Sequence, residues 1–157
     1  MIFKTSPNKF NSKFTIVSSF IIVNDKFLLL KRSENESLPK TWGLPAGKVK
    51  QNEQIIDATV REVNEETGHT FNNYHIKYWG KVYVKYPNYD CIFHMSKIEL
   101  DKIPIITLAP KEHSDYKWVT IKEALESPET FLEILKEALE MNLIPDMDKC
   151  IYEFFKT

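Results

Sequence analysis

The first pattern along the chain is a dense run of apolar residues that ends in a polar turn. Phe14 to Val23 is rich in β-branched and aromatic residues, which predicts a strand. The polar pair Asn24-Asp25 indicates a turn, and Phe27 to Lys31 predicts a second strand that completes a hairpin. Residues 1–12 are largely polar, so we expect a frayed segment or an edge of the sheet.

A helical pattern follows in the middle of the chain. Ile56, Val60 and Val63 recur at the spacing of one helix face, and Gly68 has the freedom needed to end a helix. We therefore predict a helix from about Gln54 to Thr67 that packs its apolar side on a sheet. The other predicted elements are, in chain order, short or long strands at Lys48-Val49, Tyr74–Tyr86, Asp90–Leu100 and Tyr116–Val119, and helices at Ile121–Glu126, Pro128–Met141 and Met147–Phe155.

Length and composition fit a single domain over residues 1–157, with 43% hydrophobic and 27% charged residues. The net charge is −1 and the sequence shows no basic stripe, so we expect no long nucleic acid as a partner. Cys91 and Cys150 belong to no close pair, which favours reduced thiols. The apolar run Ile16 to Val23 is too short to cross a bilayer and no secretory signal is visible, so we expect a cytoplasmic protein without a membrane partner. A homodimer is left open.

Three carboxylates share one face of the predicted helix. Glu62, Glu65 and Glu66 stand at positions i, i+3 and i+4, which are neighbours on a helix surface. Their negative charges repel one another, and a hard divalent cation relieves that repulsion. The cluster therefore predicts a site for Mg²⁺ or Mn²⁺, ions that commonly bind phosphates.

The same residues belong to a longer pattern, G-x5-E-x7-R-E-V-x-E-E-x-G, within residues 47–69. This segment resembles the Nudix box, the signature of hydrolases that cleave nucleoside diphosphates linked to another group. All seven fixed positions are matched, namely Gly47, Glu53, Arg61, Glu62, Glu65, Glu66 and Gly68. The last position departs, because His69 stands where a bulky aliphatic residue is usual. The resemblance implies an α/β/α sandwich with a mixed β-sheet.

The resemblance also implies roles for parts of the box. Arg61 is expected to form a bidentate pair with Glu53 that aims the neighbouring carboxylates. Gly47 lets the loop turn close to the metal, and Gly68 ends the helix. The backbone carbonyl of Ala46, directly before the box, is an expected metal ligand.

Residues outside the box complete the expected site. Arg32 stands at the offset where MutT-type members contact substrate phosphate, and Lys48 is expected near the leaving group. Glu112 lies in an E-H-x-x-x-x-W segment similar to one in many Nudix proteins, where a loop glutamate binds a second metal or activates water. The neighbouring His113 is a base in sugar-nucleotide members and is otherwise expected to be a bystander.

These assignments imply a metal-dependent hydrolase whose partner is a small nucleotide. The expected catalytic residues are Glu62, Glu65, Arg61 and Glu112, and the expected metal ligands are Ala46, Glu62, Glu65, Glu66 and Glu112. The first interpretation is a MutT-type nucleoside triphosphate pyrophosphatase that uses Mg²⁺ or Mn²⁺. A hydrolase of GDP-sugars or dinucleoside polyphosphates is the alternative. A Nudix-fold binding or regulatory module without turnover is left open as a third.

Overall fold

A mixed β-sheet organises the residues that the computed structural model describes, which are 1–129, 135 and 137. Its strands are β1 (Ile2–Phe3), β2 (Ser12–Val23), β3 (Lys26–Arg32), β4 (Trp42–Gly43), β5 (Ala46–Lys48), β6 (Lys77–Lys85), β7 (Asp90–Leu100) and β8 (His113–Val119). The helices with bounds inside this part of the chain are α1 (Ile55–Thr67), α2 (Ile121–Glu126) and a 3₁₀ turn at Asn73–His75. The main strand order is β1-β6-β7-β2-β3-β4, while β5 pairs with β2 and β8 with β3.

The pair at the centre of this order is parallel. Strands β2 and β7 align from Ser12 opposite Asp90 to Val23 opposite Leu100. The other strand pairs are antiparallel. A parallel pair requires a long crossover connection, and here that connection contains α1. The predicted mixed sheet is therefore confirmed.

Helices cover both faces of the sheet. Successive residues of a strand point to opposite faces, and β3 shows this clearly. Leu28 lies in the same buried cluster as Val63 of α1, whereas Leu29 lies in the same buried cluster as Ala124 of α2. Burying a leucine side chain of this kind contributes about 1.5–3 kcal/mol. The two apolar clusters on opposite sides of the sheet confirm the predicted α/β/α sandwich.

Helix α1 begins and ends close to the predicted residues. Gln54 has an extended backbone and precedes the first helical residue, Ile55. Gly68 has a φ of 65°, and its N–H donates to the Asn64 carbonyl. This left-handed conformation favours glycine, and a Cβ at Gly68 would also lie 2.7 Å from atoms of Thr107. Gly68 therefore ends the helix, as predicted.

The amino-terminal segment forms an edge strand. Ile2 and Phe3 pair with Val84 and Tyr83 of β6, and Ile2 is 3% exposed. Of the two alternatives expected for residues 1–12, the edge of the sheet is therefore correct for this short strand. The buried Ile2 side chain supplies the apolar contact that a frayed end lacks.

Two strand starts lie three residues from the predicted position, one earlier and one later. Strand β8 begins at His113 rather than at Tyr116. Strand β6 begins at Lys77 rather than at Tyr74, because the preceding residues form the 3₁₀ turn. The Asn72 side chain caps that turn by accepting the Tyr74 N–H at 3.1 Å. A capping side chain of this kind competes with strand formation locally.

Other predictions fall partly outside the described residues. Cys91 is a buried free thiol, whereas Cys150 lies outside the described part of the chain. The predicted helix Pro128–Met141 lies mostly outside it, and Met147–Phe155 lies wholly outside. Among the helices that are described, none has the length and apolar character needed to cross a bilayer.

Candidate active site

Arg61 fastens helix α1 to the loop that precedes it. Its Nε and Nη2 donate to the two carboxylate oxygens of Glu53 at 2.7 and 2.8 Å, which is the predicted bidentate pair. Nη2 also donates to the Lys48 carbonyl at 3.1 Å. The Arg61 guanidinium, together with the Lys50 N–H that donates at 2.8 Å, lowers the pKa of Glu53 to about 2. Glu53 therefore stays ionised and holds the loop against the helix.

The Glu62 carboxyl lies against the backbone of Gly47. A Cβ built on Gly47 would overlap that carboxyl, so a larger residue would displace it. Gly47 does not have a positive φ, and the requirement for glycine here is therefore the close approach of a side chain. Burial raises the pKa of Glu62, and the hydrogen bond and charge of Arg61 oppose this rise.

Glu65 is the exposed member of the three-carboxylate cluster. Its side chain is 54% exposed, and its Oε2 lies 3.3 Å from Nη1 of Arg61. The side chain of Glu62, by contrast, is 12% exposed. Glu65 therefore lies at the solvent rim of the acidic helix face, near Arg61.

Glu66 is the most buried carboxylate of the box, at 3% exposure. Its Oε2 accepts a hydrogen bond from the Ala46 N–H at 3.0 Å, which brings this predicted ligand residue beside it. Burial raises the pKa of Glu66 well above its usual range. The Ala46 bond opposes the rise, while the charges of Glu62 and Glu112 add to it. An ionised Glu66 therefore lacks a full counter-charge within the described structure.

Strand β8 brings two further groups to Glu66. His113 pairs with Arg32 of β3, and the Glu112 carbonyl accepts the Ser33 N–H at 2.9 Å. Side-chain ligand atoms of Glu66, Glu112 and His113 all lie within 4.8 Å of one another. His113 is 6% exposed, and its Nε2 lies 3.9 Å from Oε1 of Glu66. Burial and the Arg32 charge lower the pKa of His113 to about 4, so its imidazole is neutral at pH 7.

This group of side chains has the chemistry of a divalent-metal site. Carboxylate oxygens are the preferred ligands of Mg²⁺ and Mn²⁺, and neutral imidazole is a ligand of transition metals. A buried carboxylate is costly unless it is paired, and a cation between Glu66 and Glu112 would supply that pairing. The donor set therefore fits a cation at the buried end of the acidic face.

Arg32 lies beside the cluster and forms hydrogen bonds with the loop that follows β3. Its Nε donates to the Ser37 carbonyl at 2.6 Å, and its Nη2 contacts the Ser37 hydroxyl at 3.0 Å and Glu36 at 3.1 Å. Its charge also lowers the pKa values of Glu66 and His113. The residue predicted to contact phosphate is therefore close enough to act electrostatically on the acidic cluster.

A basic cavity of about 440 Å³ opens beside β5. Its lining includes Lys13, Phe14, Lys48, Lys50 and His94, and no carboxylate. The Lys48 Nζ lies 4.0 Å from the centre of the Phe14 ring, and the Lys13 Nζ lies 5.3 Å from it. These are cation–π distances. Lys48, which directly follows the box glycine, thus lies in a cavity suited to an anion.

His113 lies within the acidic cluster, beside Glu66 and Glu112. It was expected to be a bystander outside sugar-nucleotide chemistry, and this location was not expected. The only available signal is its position next to Glu112. The pairing of β3 with β8, which is a long-range feature, brings His113 to Glu66.

Most of the chain matches one known protein family. Residues 13–140 match the sequence model of the family described as the NUDIX domain. The chain belongs to the Nudix family. It is a Nudix hydrolase, as its box predicts, and Nudix enzymes act on nucleotides and typically use a divalent metal. The acidic cluster of this Nudix domain is consistent with that requirement.

Solved structures share the fold of this Nudix domain. The MutT protein from Methanosarcina mazei Go1 superimposes with a TM-score of 0.70 at 29% identity, over 82% of this chain and 91% of that one. A bifunctional NMN adenylyltransferase/ADP ribose pyrophosphatase from Francisella tularensis, complexed with AMP and a manganese ion, gives a TM-score of 0.64 at 26% identity. That match covers 85% of this chain and 43% of the bifunctional protein.

A curated relative matches over a shorter segment. The m7GpppN-mRNA hydrolase NUDT17 of Xenopus laevis is 43% identical over 47 residues, which are 29% of this chain. The matched segment spans 16% of the length of that relative. This local similarity is consistent with membership of the Nudix family.

Proposed function

We propose that this Nudix hydrolase cleaves a diphosphate bond in a small nucleotide with Mg²⁺ or Mn²⁺, and that its substrate is a nucleoside triphosphate, as in MutT-type enzymes. The observation that carries the proposal is the Glu66 carboxylate, which is 3% exposed and lies within 4.8 Å of ligand atoms of Glu112 and His113. A cation would pair such a buried acidic cluster, and β5 links the cluster to the basic cavity, because Ala46 contacts Glu66 and Lys48 lines the cavity.

The side chains proposed to hold the ion cover the acidic face and its surroundings. They are the carboxylates of Glu62, Glu65, Glu66 and Glu112, together with the Ala46 carbonyl. An ion bound there supplies positive charge to the diphosphate and lowers the pKa of a water molecule. Arg61 is a positioning residue in this scheme. It bonds to Glu53 and Glu62 and holds their carboxylates in place, and it is not proposed to contact the reacting atoms.

Glu112 is the proposed acceptor of the water proton. The other candidate, Glu62, is already paired with Arg61, which occupies one of its carboxylate oxygens. Glu112 is exposed and forms no salt bridge within the described ranges. After Glu112 takes the proton, the water oxygen forms a bond to phosphorus and the bridging P–O bond breaks. A nucleoside triphosphate would then yield a nucleoside monophosphate and pyrophosphate.

The basic cavity supports the choice of a triphosphate. Lys13, Lys48 and Lys50 place positive charge around it without any lining carboxylate. That charge would stabilise the leaving pyrophosphate. Arg32 is the proposed contact to a second phosphate, and it would exchange its bonds to Ser37 for bonds to the substrate.

A panel of nucleotides incubated with Mg²⁺ or Mn²⁺, with products separated by chromatography, tests the proposal. We expect nucleoside triphosphates to give monophosphate and pyrophosphate fastest, and Glu66→Gln to abolish that turnover. Faster turnover of a GDP-sugar, ADP-ribose or a dinucleoside polyphosphate would replace the substrate assignment. Nucleotide binding without any turnover would favour the regulatory-module interpretation.

Hydrolysis in ¹⁸O-labelled water identifies the bond that breaks. Attack at phosphorus places the label in a phosphate-containing product, which is the expected result. Label found only in a released sugar would contradict the proposal. That outcome would instead indicate attack at carbon, with His113 as the base.

A further inference from the structure

The His113 side chain is buried without a partner for its ring. It is 6% exposed, and its Nδ1 has no hydrogen-bond partner among the described residues. The Nε2 atom lies 3.9 Å from Oε1 of Glu66, which is longer than a hydrogen bond. Buried polar groups in native proteins almost always have partners, and an exception can mark a catalytic or ion-binding group. The imidazole of His113 is therefore a candidate ligand beside Glu66 and Glu112.

The distances favour an ion as that partner. Ligand atoms of Glu66, Glu112 and His113 lie within 4.8 Å of one another. Ligands placed about 2.0–2.2 Å from one ion are separated by roughly 3–4.4 Å, so a small rotation of each side chain would suffice. A hydrogen-bonded pair would instead bring one nitrogen of His113 to about 2.9 Å from a carboxylate oxygen.

The backbone holds His113 in this position. Its N–H donates to the Ala109 carbonyl at 2.9 Å, and β8 pairs it with Arg32 of β3. The preceding carbonyl, of Glu112, accepts the Ser33 N–H at 2.9 Å. Two neighbouring residues thus present an oxygen and a nitrogen ligand from a fixed strand end, and precise placement of this kind is what a metal site requires.

We propose that His113 is a metal ligand whose imidazole nitrogen binds the same ion as the carboxylates of Glu66 and Glu112, and that this nitrogen makes the site prefer Mn²⁺ to Mg²⁺. Mg²⁺ takes oxygen ligands almost exclusively, whereas mixed glutamate and histidine sets hold transition metals such as manganese. The inference rests on the proposed function only in assuming that a divalent ion occupies this cluster.

Pulsed electron paramagnetic resonance of the full chain loaded with Mn²⁺ tests this directly. We expect a ¹⁴N coupling to the ion in the wild type, and its replacement by a ¹⁵N coupling when the protein is made with ¹⁵N-labelled histidine. The coupling should vanish in His113→Gln and persist in His75→Gln, which changes an exposed histidine outside the cluster. The labelled wild type keeps the test decisive even when a variant fails to fold.

Calorimetric titrations measure the metal preference. The Kd for Mn²⁺ should rise at least about tenfold in His113→Gln, while the Kd for Mg²⁺ should change much less. Absence of nitrogen coupling in Mn²⁺-loaded wild type, an unchanged coupling in His113→Gln, or no Mn²⁺ binding would each overturn the proposal. Coupling without turnover of any nucleotide would support the ligand assignment and contradict the proposed function alone. Normal turnover without coupling would support the proposed function and contradict the ligand assignment.

Discussion

The two ends of the acidic site around α1 hold their carboxylates in opposite electrostatic states. At one end Glu53 is paired with Arg61, and its pKa falls to about 2. At the other end Glu66 is buried beside Glu112 and His113, and its pKa rises well above the usual range. The first end contains a directly bonded counter-charge, whereas the Arg32 charge acts on Glu66 at the second end without a hydrogen bond to it among the described residues.

This difference separates the residues that stabilise the fold from the residues that are proposed to bind the ion. A paired carboxylate stabilises the fold in the absence of any ligand. An unpaired buried carboxylate is stabilised when a cation binds, and the binding free energy is then added to the stability of the folded state. Substitutions at the two ends should therefore differ in kind: the Arg61 end should affect the fold, and the Glu66 end should affect metal binding and turnover.

Glu66→Gln should have the largest effect on turnover. We expect kcat to fall at least about 100-fold, since loss of one electrostatic contact to the reacting charge costs roughly 10²–10³ in rate. The melting temperature without divalent ions should stay equal or rise, because a buried charge is removed. Steady-state kinetics and thermal melts measure both effects, with the exposed Glu126→Gln as the control. Near wild-type turnover in saturating Mg²⁺ would remove Glu66 from the metal site.

Gly47→Ala should displace Glu62 without unfolding the protein. The added Cβ overlaps a carboxyl at the far end of a flexible side chain, which can move away. We expect kcat to fall about 10–100-fold, because a displacement of about 1 Å near the reacting atoms costs up to about 100-fold. The melting temperature should change little.

A double-mutant cycle with Glu62→Gln sharpens this prediction. When Glu62 is already replaced, the further loss caused by Gly47→Ala should be small, because the two changes act on one carboxylate. Losses that simply multiply would show that Gly47 affects turnover through some other group.

Arg61→Ala should lower both stability and activity, with a smaller effect on kcat than Glu66→Gln. The substitution leaves Glu53 and Glu62 without their cation, and hydrogen bonds to charged groups are among the stronger contributions to stability. We expect the melting temperature to drop by several degrees. Arg61→Lys keeps the charge and loses the bidentate geometry, so its melting temperature and kcat should lie between those of the wild type and those of Arg61→Ala. A normal melting temperature together with normal kinetics would show that the pair has no role.

Glu53→Gln should have the smallest effect on turnover, and it should also change how the stability of the fold responds to acid. The folded pKa of Glu53 is about 2 and its ordinary value is 4.5. Ionised Glu53 thus stabilises the fold fully above the ordinary value, and this contribution is lost as the pH falls from 4.5 toward 2. Urea unfolding at about pH 5 and pH 3 should show less loss of stability in Glu53→Gln than in the wild type. Equal losses would contradict the assigned pKa shift.

Local patterns made much of the helix and sheet predictable. The bounds of α1 follow from the spacing of Ile56, Val60 and Val63 and from the left-handed Gly68. The Arg61–Glu53 pair was predictable for the same reason, because both residues belong to one short segment whose motif specifies their geometry. Interactions of this short range depend little on the rest of the fold.

Long-range pairings were not predictable in the same way. The position of His113 depends on the register of β8 against β3, and no pattern of nearby residues encodes that register. Strand β1 is similar, because two residues carry too little periodicity to predict a strand and Ile2 is buried only by pairing with β6. The late start of β6 reflects a side-chain cap from Asn72 that competes with extended backbone.

The parallel pairing of β2 with β7 has a consequence for the order in which the fold forms. It joins residues far apart in the chain, such as Ser96 and Ser18, whose contact spans 78 positions. Closing so long a loop costs entropy before contacts compensate for it, so such pairings form late in folding. During synthesis the whole segment 47–69 leaves the ribosome before β7, and Glu112 and His113 follow later still. A nascent chain thus carries every box glutamate before it can assemble the buried cluster of Glu66, Glu112 and His113.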